Sequence, residues 1–165
     1  MMTAGCERLG IEVPIIQAPL GALVSPALAA AVSNAGGLGT LALWGADIQA
    51  LRQQVRETRA LTTKPFAVNL NLDFPQEERL DACLQEGVPV ISFFWRDPSS
   101  LVARAKSGGA TVLHTVSTAA EARHAVASGV DAIIAQGWEA GGHVRGKVAT
   151  MALIPAVRIS RTWAL

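Results

Sequence analysis

Residues 129–146 read G-V-D-A-I-I-A-Q-G-W-E-A-G-G-H-V-R-G, a short apolar run that breaks into a glycine-rich loop. The run at 132–135 has the length and type of a strand buried on both faces of a parallel sheet. Gln136, Glu139, His143 and the glycines Gly137, Gly141 and Gly142 follow it. Glycine lets a backbone approach a flat or charged ligand because no Cβ intervenes. The Gln136 amide can both donate and accept, and a histidine such as His143 can change charge near neutral pH. In α/β enzymes, chemistry sits where the C-terminal end of a strand opens into such a loop. The 136–143 loop is therefore the expected site.

Composition agrees with a buried parallel sheet. The chain has 165 residues, enough for one domain; half are hydrophobic and 16% are charged, against about a quarter charged in an average soluble domain. A net charge of +1 and the lack of a Lys/Arg cluster interleaved with aromatics argue against nucleic acid as a partner. The small-apolar stretch at 26–32 is far shorter than the roughly 18 residues that span a bilayer, and the first residues lack the apolar core of a signal peptide. No membrane partner is expected. Cys6 and Cys83 have no metal-ligand spacing, and they read as reduced thiols of a cytoplasmic protein.

Along the chain, 15–18 reads as a first short strand. Ser25 then caps a helix with Pro26 at its first position. A second strand is predicted at 38–42, and a helix capped by Asp47 runs to about Arg59 with Ile48, Leu51 and Val55 on one stripe. A strand at 66–70, a helix from Pro75 to about Glu86, a strand at 88–93 and a helix at 98–106 follow. The fifth strand is 111–116, and Ser117 or Thr118 caps the next helix, with Thr118 and Glu121 in capping-box spacing. The sixth strand is 132–135, and a further helix starts near Met151. This β-α rhythm, repeated about six times, specifies α/β with a parallel sheet. Either a (β/α)8 barrel or an open doubly wound sheet satisfies it. A full barrel needs eight units and about 250 residues, whereas 158–165 carry no strand pattern and read as an ending.

Other motifs have plain readings. Residues 37–42, G-L-G-T-L-A, match the dinucleotide fingerprint formally, yet they follow a helix and lead into a strand, the reverse of the required context; a helix end and tight turn explain them. Asn69 lies in an apolar strand, where an amide needs a partner, either neighbouring backbone or a ligand. His114 reads as a core or barrel-mouth histidine and His124 as a solvated helix residue. Trp138 and Glu139 read as closing the loop rather than acting chemically.

I-I-Q-A-P-L at 15–20, N-A-G-G-L-G at 34–39, F-A-V-N at 66–69, H-T-V-S-T-A-A-E-A at 114–122 and the 129–143 segment together resemble the nitronate monooxygenase (2-nitropropane dioxygenase-like) family. These are FMN-dependent (β/α)8 TIM barrels that include flavin-dependent enoyl-ACP reductases. The resemblance covers roughly residues 11–157 and implies an incomplete barrel of about six β/α units. It implies that Ala18 and Pro19 lie against the flavin through their backbone and that Asn69, Gln136, Gly141 and Gly142 bind FMN. It also makes His143 the general base. The implied reaction is oxidation of an alkyl nitronate or nitroalkane by FMN and O2 to a carbonyl compound and nitrite; an FMN-dependent enoyl-ACP or NAD(P)H:acceptor reductase and an inactive barrel fragment are the alternatives. Leu20 stands where the family often has methionine. Because phosphate sites in such barrels are commonly built after strands 7 and 8, the resemblance further implies one partial FMN-binding domain over 1–165. Residues 158–165 would be an aberrant tail, and the unpaired barrel edges would invite self-association.

Overall fold

The structure is a computed structural model that describes residues 3–23 and 25–159. Five strands, β1 (Gly39–Ala42), β2 (Phe66–Asn71), β3 (Val90–Phe94), β4 (Thr111–Val116) and β5 (Ala132–Ala135), form one sheet in sequential order with every pairing parallel. Between them run α3 (Ile48–Leu61), α4 (Glu77–Gln85), α5 (Ser99–Ser107) and α6 (Ala119–Ala127), with α1 (Ala4–Leu9) and α2 (Pro26–Asn34) before β1 and α7 (Thr150–Ile159) after β5. Sequential order means that every crossover leads to the adjacent strand, as in a barrel; a doubly wound sheet would reverse direction partway. The fold is an incomplete (β/α)8 barrel.

The first predicted strand is shorter than expected. Ile16 makes a single parallel bridge with Leu38, flanked by bonds from Leu38 N to the Ile15 carbonyl and from Gln17 N to the Leu38 carbonyl, both 2.9 Å. Pro14 and Pro19 bracket this segment and have no N–H to donate, so the ladder cannot extend. The strand expected from Val88 begins at Val90, because Val88 N still bonds to the Cys83 carbonyl and finishes the end of α4. The helix expected from Pro75 begins at Glu77. The short helix α1 has no counterpart in the sequence reading; six residues are too few to show a period. Of the predicted ending at 158–165, residues 160–165 lie outside the described residues, and Arg158 belongs to α7.

Successive side chains on a strand point to opposite faces. Leu41, Val68, Leu70, Ile91, Phe93, Val112 and Val116 join Leu51, Val55, Leu80, Val102 and Ala125 from the helices in the main core. On the other face the residues change character along the strands. Leu38, Ala67, Val90, Leu113 and Ala132 lie toward the N-terminal ends and pack with Cys6, Leu9 and Ile11, so α1 plugs that end. Further along the same face stand the buried polar residues Thr40, Asn69, Asn71, Ser92 and Thr115. The face is apolar at one end and polar at the other.

Capping follows the sequence reading closely. Ser25, Asp47 and Thr118 accept from Leu28 N, Ala50 N and Glu121 N. The Glu121 carboxylate reaches back to Ser117 N at 2.7 Å rather than to Thr118 N. Gly36 adopts φ 91, and a Cβ on Gly39 would lie 1.9 Å from the Ala29 carbonyl oxygen. Gly36 serves chain reversal and Gly39 the contact of α2 with β1, while a Cβ on Gly37 would lie 2.9 Å from the Ile15 carbonyl oxygen; packing accounts for G-L-G-T-L-A without a dinucleotide.

Two outcomes are expected. Gly39→Ala should destabilise the fold by about 1–3 kcal/mol, because backbone rather than a yielding side chain opposes the new methyl; urea denaturation measures this. The Glu86 carboxylate is bonded by Arg56 (2.9 and 2.6 Å) and Arg52 (2.9 Å), which hold its pKa down at about 2. A folded-state pKa depressed in this way stabilises above the unfolded value near 4.3 and is lost as pH falls toward the folded one. The stability gap between the natural chain and Glu86→Gln should therefore be constant above about pH 5 and should close as pH falls toward about 2.

Candidate functional site

The loops at the C-terminal strand ends are fixed by side chains that spend their polar groups on backbone. Gln76 is fully buried, and its Nε2 donates to the carbonyls of Trp44 (3.2 Å) and Asn71 (2.9 Å), tying the loops after β1 and β2 together. Gln17 Nε2 donates to the Thr40 carbonyl at 3.1 Å. Asn69 Nδ2 donates to the Ser92 carbonyl at 3.1 Å, the backbone partner that one of its two sequence readings required.

The glycine loop after β5 is closed on itself and on α7. Trp138 N donates to the Val148 carbonyl at 3.0 Å, and Glu139 Oε1 accepts from Thr150 N at 2.8 Å. Backbone hydrogen bonding, its own first and then that of Thr150, lowers the Glu139 pKa from its ordinary value. Trp138 and Glu139 thus close the loop, as the sequence reading held. Gly137 is buried, and a Cβ there would meet Thr150 Oγ1 at 2.1 Å. At Gly141 and Gly142 nothing lies within 4 Å of such a Cβ, and Gly142 has φ 77. Gly137 permits packing; Gly141 and Gly142 face open space.

His143 is exposed on this loop, and its carbonyl accepts from Gln136 Nε2 at 3.0 Å. Its ring stands edge-to-face with Trp95, centroids 5.9 Å apart and planes at 88°. Gln136 and His143 are therefore brought together directly. Ala18 and Pro19 are exposed just past the Ile16 bridge, and Asn69 lies on the polar inner face, all toward the same end of the sheet. Several buried polar atoms have no protein partner: Gln17 Oε1, Thr40 Oγ1, Gln136 Oε1 and Trp95 Nε1. Unpaired buried groups are costly, so such a set marks a surface suited to a polar-edged ligand.

His114 does not belong here. It shares a strand face with the outward residues Val112 and Val116 and lies in the helix-facing layer, 2% exposed. Burial above all lowers its pKa to about 4, keeping the ring neutral at neutral pH. His124, expected to be solvated, is exposed but lies 2.8 Å from Asp97 Oδ1. Among the described residues, no group of three or more His, Cys, Asp or Glu is placed to hold a metal, and no helix is long and apolar enough to cross a membrane. Both cysteines are free and buried.

Trp95 escaped the sequence reading. It directly follows β3, and both it (φ 63) and Arg96 (φ 51) adopt left-handed backbone, sparsely populated by such residues. Glycine or asparagine would have signalled the turn; tryptophan and arginine do not.

The sequence model of the nitronate monooxygenase family matches residues 3–82 and 74–160. A (3aS,4S,5R,7aS)-5-hydroxy-7a-methyl-1-oxo-octahydro-1H-indene-4-carboxyl-CoA dehydrogenase of Mycobacterium tuberculosis is 40% identical, over 92% of this chain and 42% of its own. A nitronate monooxygenase of Paraburkholderia phytofirmans is 36% identical, over 82% and 48%. FabK from Thermotoga maritima superposes with a TM-score of 0.94 at 36% identity, over 98% of this chain and 52% of its own. The chain spans about half the length of the curated relatives it matches.

Gly137→Ala should detach the loop from α7, because its methyl meets the Thr150 backbone N at 2.5 Å as well as the hydroxyl. Limited proteolysis within 138–149 should then become much faster, with global stability lowered by about 1–3 kcal/mol. Gly141→Ala meets open space and should leave both unchanged.

Proposed function

The chain belongs to the nitronate monooxygenase family, and from that membership we propose that it carries the flavin-facing wall and the base of an FMN-dependent oxidoreductase. The reaction is oxidation of alkyl nitronates or nitroalkanes with O2 to a carbonyl compound and nitrite. The observation that carries this reading is the Gln136–His143 pairing at the polar end of the sheet, beside buried amide oxygens without partners.

The residues present fit a flavin. Ala18 and Pro19 offer exposed backbone, Asn69 and Gln136 offer amides, and Gly141 and Gly142 leave room for a planar ring to approach. When bound, FMN supplies the redox chemistry with O2, which no side chain here can perform. The protein contributes a base and an orientation. His143, exposed on a loop braced by Glu139 and Gln136, takes the α-proton of a neutral nitroalkane, and the electron pair of the broken C–H bond moves onto the nitro group. A substrate supplied as its nitronate has already lost that proton and does not need the base.

A second reading, redox chemistry on an acyl thioester, is favoured by one observation. The carboxyl-CoA dehydrogenase relative is 40% identical, against 36% for the nitronate monooxygenase. Flavin reduction by NAD(P)H coupled to consumption of a crotonyl thioester would select it. A non-catalytic fragment that self-associates through the Ile16 and β5 edges is the reading from outside enzymology.

The first test is the visible spectrum of FMN-supplemented protein after desalting. Near-stoichiometric flavin is expected, and a colourless protein overturns the reading for this chain. With flavin retained, His143→Asn should lower turnover of neutral nitroethane by about 10²-fold or more, the usual contribution of a general base, while oxidation of ethyl nitronate stays within a few-fold. Equal loss on both substrates would show that His143 is not the base.

A further inference from the structure

Trp95 is the residue on which strain, packing and an unspent donor coincide. Two successive side-chain-bearing residues in left-handed backbone are strained and persist only where surrounding structure imposes them. That structure is visible. Leu72 N donates to the Phe94 carbonyl at 3.0 Å, and Arg96 forms an ion pair with Asp73, so the turn after β3 is tied to the loop after β2. The turn sets the Trp95 indole against Phe94 and His143. The ring stacks on Phe94 with centroids 4.5 Å apart and planes at 27°, and the Arg145 guanidinium lies 5.5 Å from its centroid. The edge-to-face contact with His143 adds a third ring or charge packed on this indole. The indole Nε1 is buried without a hydrogen-bond partner.

An indole nitrogen can only donate, and tryptophans usually find a partner for it when buried. Here the missing partner is an acceptor, next to the group proposed to remove a proton. We propose that Trp95 is a substrate-positioning residue whose indole N–H donates to an oxygen of the nitro group while His143 faces the α-carbon. The inference rests on the reading of His143 as base. As the C–H bond breaks, the proton passes to an imidazole nitrogen and the electron pair spreads onto the nitro oxygens. A donor fixed against one of those oxygens binds the product anion more strongly than the neutral substrate and lowers the barrier to proton removal. Arg145, held over the same indole, adds positive charge beside the developing anion. The substrate class that fits is a small oxyanion-forming acid with its acidic carbon one bond from the acceptor group.

The test needs no turnover. The chain has four tryptophans, so the FMN-supplemented 165-residue protein labelled with 15N gives four indole N–H signals, assigned by Trp95→Phe and independently by Trp44→Phe and Trp138→Phe. Titration with propyl-1-nitronate should move the Trp95 signal downfield and saturably. Trp95→Phe keeps an aromatic ring but no donor, and it should bind the nitronate about tenfold more weakly, the loss of one hydrogen bond to a charged group. If other signals shift saturably while the Trp95 indole stays in place, the inference is overturned and the proposed function stands. If FMN binds but propyl-1-nitronate moves no signal, both fail together.

Discussion

The alternation of side chains along five parallel strands is the constraint on which everything else depends. Each strand must bury one face beneath helices, and Leu41, Val68, Ile91, Phe93 and Val112 do so with the apolar stripes of the helices. The opposite face is then free to vary with height. It is apolar where Leu38, Ala67, Val90 and Leu113 meet α1, and polar where Thr40, Asn69, Ser92 and Thr115 follow. Because the strands are parallel, all their C-terminal ends lie together, and the polar halves of β1 to β4 sum into one surface beside Gln136 at the end of β5.

Two devices turn that surface into a site. The loop after β5 is anchored at both ends, by Gln136 on the His143 carbonyl and by Glu139 on the first turn of α7, with Gly137 allowing the close approach. The turn after β3 is forced through left-handed backbone and held by Arg96 and Asp73. The two meet at Trp95 and His143, one from the middle of the sheet and one from beyond its last strand. Strain at such a place is consistent with a ligand-facing role, since an unconstrained turn would relax.

The comparisons fit this division of labour. A dehydrogenase, a nitronate monooxygenase and FabK are all similar to this half-barrel at 36–40% identity. Their names state different reactions on a shared half-barrel, so the fold alone does not choose among them. The proposed base His143 and its neighbours, rather than the sheet, are therefore where the nitronate and thioester proposals differ.

Local order in this chain was legible from residues alone. Helix starts at Ser25, Asp47 and Thr118, the strands at 111–116 and 132–135, and the proximity of Gln136 to His143 follow from capping chemistry, apolar runs and short spacing. These are interactions within a few residues, so their physics is written in the local sequence. The fold class followed from the same rhythm, but the choice of barrel over doubly wound sheet is visible only in the sequential strand order, which is a property of pairing between distant segments. Asn69 carried two open readings until Ser92 supplied its partner. His114 gave no sign of which face it occupied, because a one-residue change of phase in a strand is invisible until the sheet has sides. The contact of Trp95 with His143 and Arg145 joins residues about fifty apart through backbone that tryptophan rarely adopts; only the packed tertiary structure can impose and repay such a conformation.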